Sequence, residues 1–362
     1  SLIEYINNKS LHSIVDVFAS ANITKKANGE DLVEMYDILK SGCKSFTDDK
    51  KSISNNKVLN LCLEYAKDLN TLIIHHPSDK ELINHGVVNE GILSTKLGLK
   101  GIPNISEFLT TYRDIEINNY SKGKIHLSYI STSESVKLIR KQKKSENNIT
   151  CDVSIYNTFL DESKLDNFDT RFKLEPPLRT KKDIKEIIKG LNDSTIDIIT
   201  SNHEPQGTES KRLPFEEAAY GAVGIETLLA ASLSLYHEGY ISLSKLMKKM
   251  SYNPAKILNL ENTGSLEVGK KADLILVDLD QPWVCDADKL TTKCKNTTFE
   301  NQKMQGRVLL TIVNGKIIHN LIEYLFIYSY ISKLFIYIFS YSCGTVLIIF
   351  LVFVNPVEFI IS

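Results

Sequence analysis

The chain has 362 residues, 43% of them apolar and 24% charged, and 43 basic side chains against 44 acidic ones give a formal net charge of -1. That is enough apolar material to bury a barrel-sized core, with or without a small appendage, and it excludes a tail or a linker. The even balance gives no electrostatic reason to expect nucleic acid or an acidic membrane surface as a partner.

Strand and helix patterns alternate from the start. Residues 14–19 read as strand, 31–39 as helix, 43–47 as strand, 58–69 as helix and 71–75 as strand. Next come a helix at 105–112, a strand at 124–130, a helix at 133–143, a strand at 149–154 and a helix at 181–191. The apolar run at 196–199 is a further strand, stopping abruptly at small and polar residues and delivering Asn202 and His203 to its C-terminal end. Beyond it, 215–236 and 243–259 carry apolar residues at i, i+3 and i+4, the pattern of long helices. The basic cluster at 137–144 is most simply a solvated helix face.

Strands alternating with helices predict βαβ units and a parallel sheet. Polar residues gather just past the strand ends: Asp48 and Asp49 after Phe46, His75 and His76 after Ile74, and Asn202 and His203 after Ile199. A single rim for all of them is where an α/β barrel carries its chemistry. The expected fold is therefore an α/β, TIM-like (β/α) barrel. About six barrel strands are countable where closure takes eight, so an N-terminally incomplete barrel is expected over residues 1–260. From 261 to 320 the pattern changes to glycines and β-runs, with Asn314-Gly315 as a hairpin turn, which predicts a small C-terminal β domain.

From 321 the chain is nearly uncharged, and 334–354 carries no charge over a length that would cross a bilayer. Its tyrosines and phenylalanines would suit an interfacial belt. It reads either as a membrane anchor or as sequence translated past a lost stop, and a membrane partner is expected only in the first case. The six cysteines form no Cys-x-x-Cys pair, which argues against a thiolate zinc site and a disulfide framework and for a reducing, cytoplasmic location. No secretory pattern stands at the start.

Several stretches are specific when read together. They are Ser45-Phe46-Thr47-Asp48-Asp49, Asn89-Glu90-Gly91, residues 97–103, Glu175-Pro176-Pro177-Leu178-Arg179, Thr195-Ile196-Asp197 with Asn202-His203, residues 221–227, Asn253-Pro254-Ala255 and residues 269–274. In this order the chain closely resembles the dihydroorotases of the cyclic amidohydrolase superfamily, the type with an added β-sandwich domain. The resemblance implies a barrel of the metal-dependent hydrolase type. It implies the family reaction too, the reversible zinc-dependent cyclisation of N-carbamoyl-aspartate to dihydroorotate in pyrimidine biosynthesis. It further implies a His-x-His pair on the first barrel strand, a carboxylate ligand, two more histidines, and an Asp on the last strand acting as ligand and base.

The matched region begins beyond the His-x-His strand. Asp49 matches the carboxylate ligand, with Asp48 as second candidate. His76 fits the next histidine, because the spacing to Asp79 and Leu82 is kept, and His75 comes one residue early. The second histidine falls on Tyr129 and the base Asp on Asn202. A substrate-contacting Asn falls on Glu175 and a histidine after the last strand on Gln206, while Arg179 stays in place near the active rim. Where relatives carry Thr-Pro-His-His, this chain has Ser154-Ile155-Tyr156-Asn157.

Zinc is held by imidazole nitrogen, thiolate or carboxylate oxygen. A phenol with an ordinary pKa of about 10 is a poor substitute, and an amide lacks the basicity behind a rate factor of roughly 10²–10⁴. Glu175 adds negative charge where an anionic substrate would lie. Zinc is accordingly expected to bind weakly or not at all. Bland roles are available to each remaining group: His75 and His76 as a hydrogen-bonded remnant pair, Asp49 as a turn cap, His126 and His203 as packing residues, Arg179 as a loop brace. The losses fall together on ligand, base and substrate positions while the frame motifs persist. Three functions fit this pattern. They are an inactive homologue kept as a scaffold for aspartate carbamoyltransferase, an active cyclic amidohydrolase with an altered metal site, or a decaying gene product.

Overall fold

The computed structural model describes residues 2–145 and 148–322 and the backbone of a strand at Val346–Ile349. The described chain divides into two compact units, one of residues 2–228 with 286–300, the other of 229–285 with 301–322 and the strand at 346–349.

The first unit is built on a six-stranded, wholly parallel sheet in sequential order, the part-barrel anticipated from the alternating pattern. Its strands are β1 (Ser20–Ala21), β2 (Ser45–Thr47), β3 (Leu72–His75), β4 (Ile125–Leu127), β5 (Ile149–Ser154) and β6 (Ile198–Thr200). Both faces of the sheet are covered, so Phe46, Ile73, Ile125, Leu127 and Val153 are all buried.

The covering helices start on side-chain caps. Asn55 accepts from the amides of Lys57 and Val58 to open helix Asn56–Asp68, which buries Val58, Leu59, Cys62, Leu63 and Ala66 along one stripe. Thr132 caps Ser133–Lys143, and Thr180 with Asp183 forms a capping box at Lys181–Asn192.

Several elements differ from expectation. The first strand pairs at Ser20–Ala21, not over 14–19, where Ile14 and Val15 are exposed and have no sheet to enter. The helix at 105–112 runs on to fill Asn104–Ser121. Residues 215–227 form a loop, and the long helix expected there is confined to Leu228–His237. The loop's apolar spacing serves a local cluster instead, with Phe215 packed beside Val87, Val88 and Leu165. Gly221, at φ 103, takes a backbone shape no helix allows. The helix expected over 243–259 is a continuous path through Leu243–Met247, a π turn at Lys248–Tyr252, and Asn253–Ile257. A widened turn just ahead of Pro254 absorbs the missing N–H and the ring's clash with the preceding turn.

In the second unit Leu274–Val284, Lys303–Val313 and Lys316–Asn320 form an antiparallel sheet, with Val346–Ile349 against the other edge of Leu274–Val284. Asn314 (φ 49) and Gly315 (φ 75) make the two-residue hairpin turn that the Asn-Gly pair predicts. Apart from that strand's backbone, the apolar segment 334–354 lies outside the described residues. Among the described residues no helix is long and apolar enough to cross a membrane.

Candidate functional site

The carboxyl ends of β2, β3, β4 and β6 deliver the polar residues that strand-end placement singles out. Asp48 is buried, and its carboxylate accepts from the amides of Ile23 (2.9 Å) and Thr24 (3.0 Å) and from the Thr24 hydroxyl. It ties down the loop after β1. Asp49 follows in a left-handed turn (φ 58), and its Oδ1 is buried without a protein hydrogen bond.

The next residue is one that strand-end reasoning missed. The Lys50 ammonium meets Glu204 Oε2 at 2.6 Å and lies 5.6 Å from the centre of the Tyr129 ring. Burial works against its charge, but Glu204, Glu175 and Asp49 outweigh burial and raise its pKa. Lys50, Ser78, His85, Ile102, Glu175 and Tyr220 line a cavity of about 620 Å³.

The two adjacent histidines part company. His75 Nε2 accepts from the amide of Ile53 (2.9 Å), so its proton sits on Nδ1 and is donated to Asp114 at 2.7 Å. Both ring nitrogens are thus occupied by the protein. His76 Nδ1 lies 3.2 Å from the Ser128 carbonyl, and the Tyr129 ring packs edge-on at 5.9 Å. Donation from Nδ1 leaves Nε2 as its acceptor, and burial lowers the pKa of the ring and favours the neutral form. His126 spends its nitrogens on Thr150 (2.8 Å) and Asp152 (2.9 Å) inside the sheet.

Tyr129, at φ 56, is held by its amide on Asp152 Oδ1 at 2.8 Å. Asn202, also left-handed (φ 43) and only 6% exposed, donates from Nδ2 to the Glu175 carbonyl at 3.0 Å. Gln206 donates its amide to Asn296 Oδ1 at 3.2 Å. His203 Nδ1 accepts from the amides of Gly224 (3.1 Å) and Ile225 (3.4 Å), and burial lowers its pKa, which makes it a loop brace.

That brace depends on close approach. A Cβ at Gly224 would fall 2.5 Å from both the Ser201 carbonyl and the hydroxyl of fully buried Tyr156. Gly224→Ala is therefore expected to destabilise by about 1–3 kcal/mol, read as a lowered urea midpoint. An unchanged midpoint would show that the loop rearranges freely.

Arg179 is 2% exposed and donates from Nε to Ser131 Oγ (3.1 Å) and from Nη1 to Asn89 Oδ1 and the Ile102 carbonyl (both 2.9 Å). Burial lowers its pKa, opposed by Glu107 among other acids. Glu107, which sequence reasoning also passed over, accepts from the amides and hydroxyls of Ser131 and Thr132. Together they fix the loop that follows β4.

Of the positions the resemblance assigns to zinc, Asp49 offers a free carboxylate oxygen and His76 an acceptor nitrogen, while Tyr129 and Asn202 offer a phenol and an amide. Among the described residues no three His, Cys, Asp or Glu side chains are grouped to hold a metal ion, and an ammonium lies in their midst. These residues do not fit the metal.

A profile of the amidohydrolase family matches residues 4–318. The chain is 39% identical over 305 residues to a dihydroorotase of Geobacter metallireducens, covering 84% of this chain and 72% of that protein. It is 38% identical over 320 residues to a dihydroorotase of Acetivibrio thermocellus, covering 88% and 75%. Among solved structures, an L-hydantoinase (dihydropyrimidinase) from Arthrobacter aurescens aligns with a TM-score of 0.78 at 19% identity, covering 89% of this chain and 74% of that one. A dihydropyrimidinase from Brevibacillus agri aligns with a TM-score of 0.73 at 17% identity, covering 85% and 70%. These two likenesses are of fold alone.

Proposed function

Because this chain belongs to the amidohydrolase family, and within it to the dihydroorotase-like members, we propose that it keeps the dihydroorotase frame while lacking its ring-closing chemistry. The observation that carries this is Asn202. At the position of the family's base stands an amide whose donor is committed to the Glu175 carbonyl, so it neither takes a proton nor turns an oxygen lone pair of useful basicity toward a water. Zinc, where a site holds it, polarises the scissile carbonyl and activates water. Here only Asp49 and His76 retain a ligand's chemistry, and Glu175 brings a negative charge to the cavity wall.

The purified chain, incubated with dihydroorotate and excess zinc, is expected to show no turnover above background. Turnover accompanied by about one bound zinc per chain would establish the altered-site amidohydrolase instead. A cooperative thermal transition is expected as well, and its absence would favour a decaying gene product.

A scaffold role is supported by where the frame motifs sit. Arg179, Asn89 and Ile102 are buried and hydrogen-bonded to one another, while the altered Glu175 lines the cavity. The resemblance implies aspartate carbamoyltransferase as the partner, and the described cysteines, all free, suit a reducing compartment such as the cytoplasm. Co-elution of the two proteins in size-exclusion chromatography is expected, and separate elution at micromolar concentration removes the scaffold role.

A further inference from the structure

We propose that the Lys50 ammonium is a built-in counter-cation that stands in for the metal, neutralising the pocket and keeping divalent cations out. The proposal rests on the dihydroorotase-like reading of the rim and extends it, because it gives a physical reason why the surviving acids and His76 stay together without an ion.

Asp49, Glu175 and Glu204 come from three separate segments, and all three attract the Lys50 ammonium. Negative charges that all act on one point favour a cation there. Lys50 supplies it. Its side chain is 11% exposed, it is 2.6 Å from Glu204 Oε2, and the face of the Tyr129 ring lies 5.6 Å away. Tyr129 and His76 stand where the resemblance puts histidine ligands, their rings packed edge-on at 5.9 Å. The left-handed turn at Asp49 immediately precedes it, so a carboxylate with a buried, unbonded oxygen and the cation are neighbours in the chain. A divalent ion entering this space would meet a fixed positive charge at close range, where the low surrounding dielectric leaves the repulsion poorly screened.

A lone surface lysine would be explained as a solvated charge, but that explanation fails here. The lysine is nearly enclosed, and its partner Glu204 is 154 residues away in sequence.

The test is cobalt and zinc binding by the full chain, followed by calorimetry and by cobalt absorption in the visible range, for the unaltered protein, Lys50→Met and Lys50→Arg. Lys50→Met removes the charge at nearly constant length and is expected to bind at least about tenfold more tightly than the unaltered chain. Lys50→Arg keeps the charge and is expected to bind no better than the unaltered chain. Equal metal affinity in all three folded proteins would overturn the proposal. So would stoichiometric, tight binding by the unaltered chain. Should Lys50→Met not fold, Lys50→Gly and the titration of the unaltered chain decide the matter by the same criteria.

The readout is metal affinity, so it separates from the functional reading above. Turnover without bound metal would sink that reading and leave Lys50 untouched. An inert chain whose Lys50→Met variant gains no affinity would do the reverse.

Discussion

Arg179→Met is expected to lower the stability of the chain by about 3–5 kcal/mol, the cost of breaking a buried charged network from one side. The guanidinium is 2% exposed and donates to Ser131, Asn89 and Ile102, and methionine fills its stem without replacing any of those bonds. Asn89 Oδ1 and the Ile102 carbonyl would lose a donor, and Glu107 would lose an attracting cation in a site where only 3% of its surface sees water. Glu107→Gln should cost a comparable amount, because an amide has one accepting oxygen where the carboxylate uses both on Ser131 and Thr132. The Ser131 hydroxyl bonds to both partners, so the double variant should lose less than the sum of the singles, by roughly 0.5–3 kcal/mol. Urea unfolding of the four proteins measures this. Losses below about 1 kcal/mol for each single variant would mean that Arg179 does not brace the loop and is available to a ligand.

Returning the base, by Asn202→Asp, is expected to leave turnover at background and not to recover the roughly 10²–10⁴-fold factor a general base supplies. The change replaces a donor that meets the Glu175 carbonyl at 3.0 Å with an acceptor, setting two oxygens against each other in a position only 6% exposed. A loss of about 1–3 kcal/mol should follow. Its pH dependence has a definite sign. A carboxyl in that place can donate only while protonated, so its folded pKa lies above its unfolded one, and the folded state holds the proton more tightly. The variant should thus be closest to the unaltered chain in acid and fall behind as pH rises through that folded pKa. A hundredfold rise in dihydroorotate turnover at neutral pH would mean that the missing base was the sole defect.

Much of the frame is legible in the sequence because local chemistry and packing agree there. The helix at Ser133–Lys143 and the strand at Ile149–Ser154 lie where the pattern puts them, the helix opened by Thr132 and finished by basic residues in its last turn. The Asn314-Gly315 turn is equally local. At residues 215–227 the helical spacing is satisfied by something other than a helix. Phe215 packs beside Val88, and Ala222 makes an isolated parallel bridge to His203, a pairing set by tertiary structure.

At the rim, the positions were legible and the partnerships were not. Consecutive residues at a strand end point in opposite directions, so His75 reaches Asp114 on the covering helix while His76 turns to the loop after β4. Nothing in the adjacent pair of letters says which does which. Lys50 beside two aspartates reads as an ordinary surface charge until Glu204, from the far end of the sheet, is seen to close on it. The same holds for Arg179 and Glu107, whose meeting depends on two separate loops being brought to Ser131.

The most direct measurement is the zinc anomalous signal from crystals of the chain soaked in zinc and dihydroorotate. We expect no zinc peak between Asp49 and His76, with the Lys50 ammonium resting on Glu204. A zinc ion bonded to Asp49 and His76, with Lys50 swung out of the pocket, would contradict the view that a side chain has taken over the place and charge of the metal.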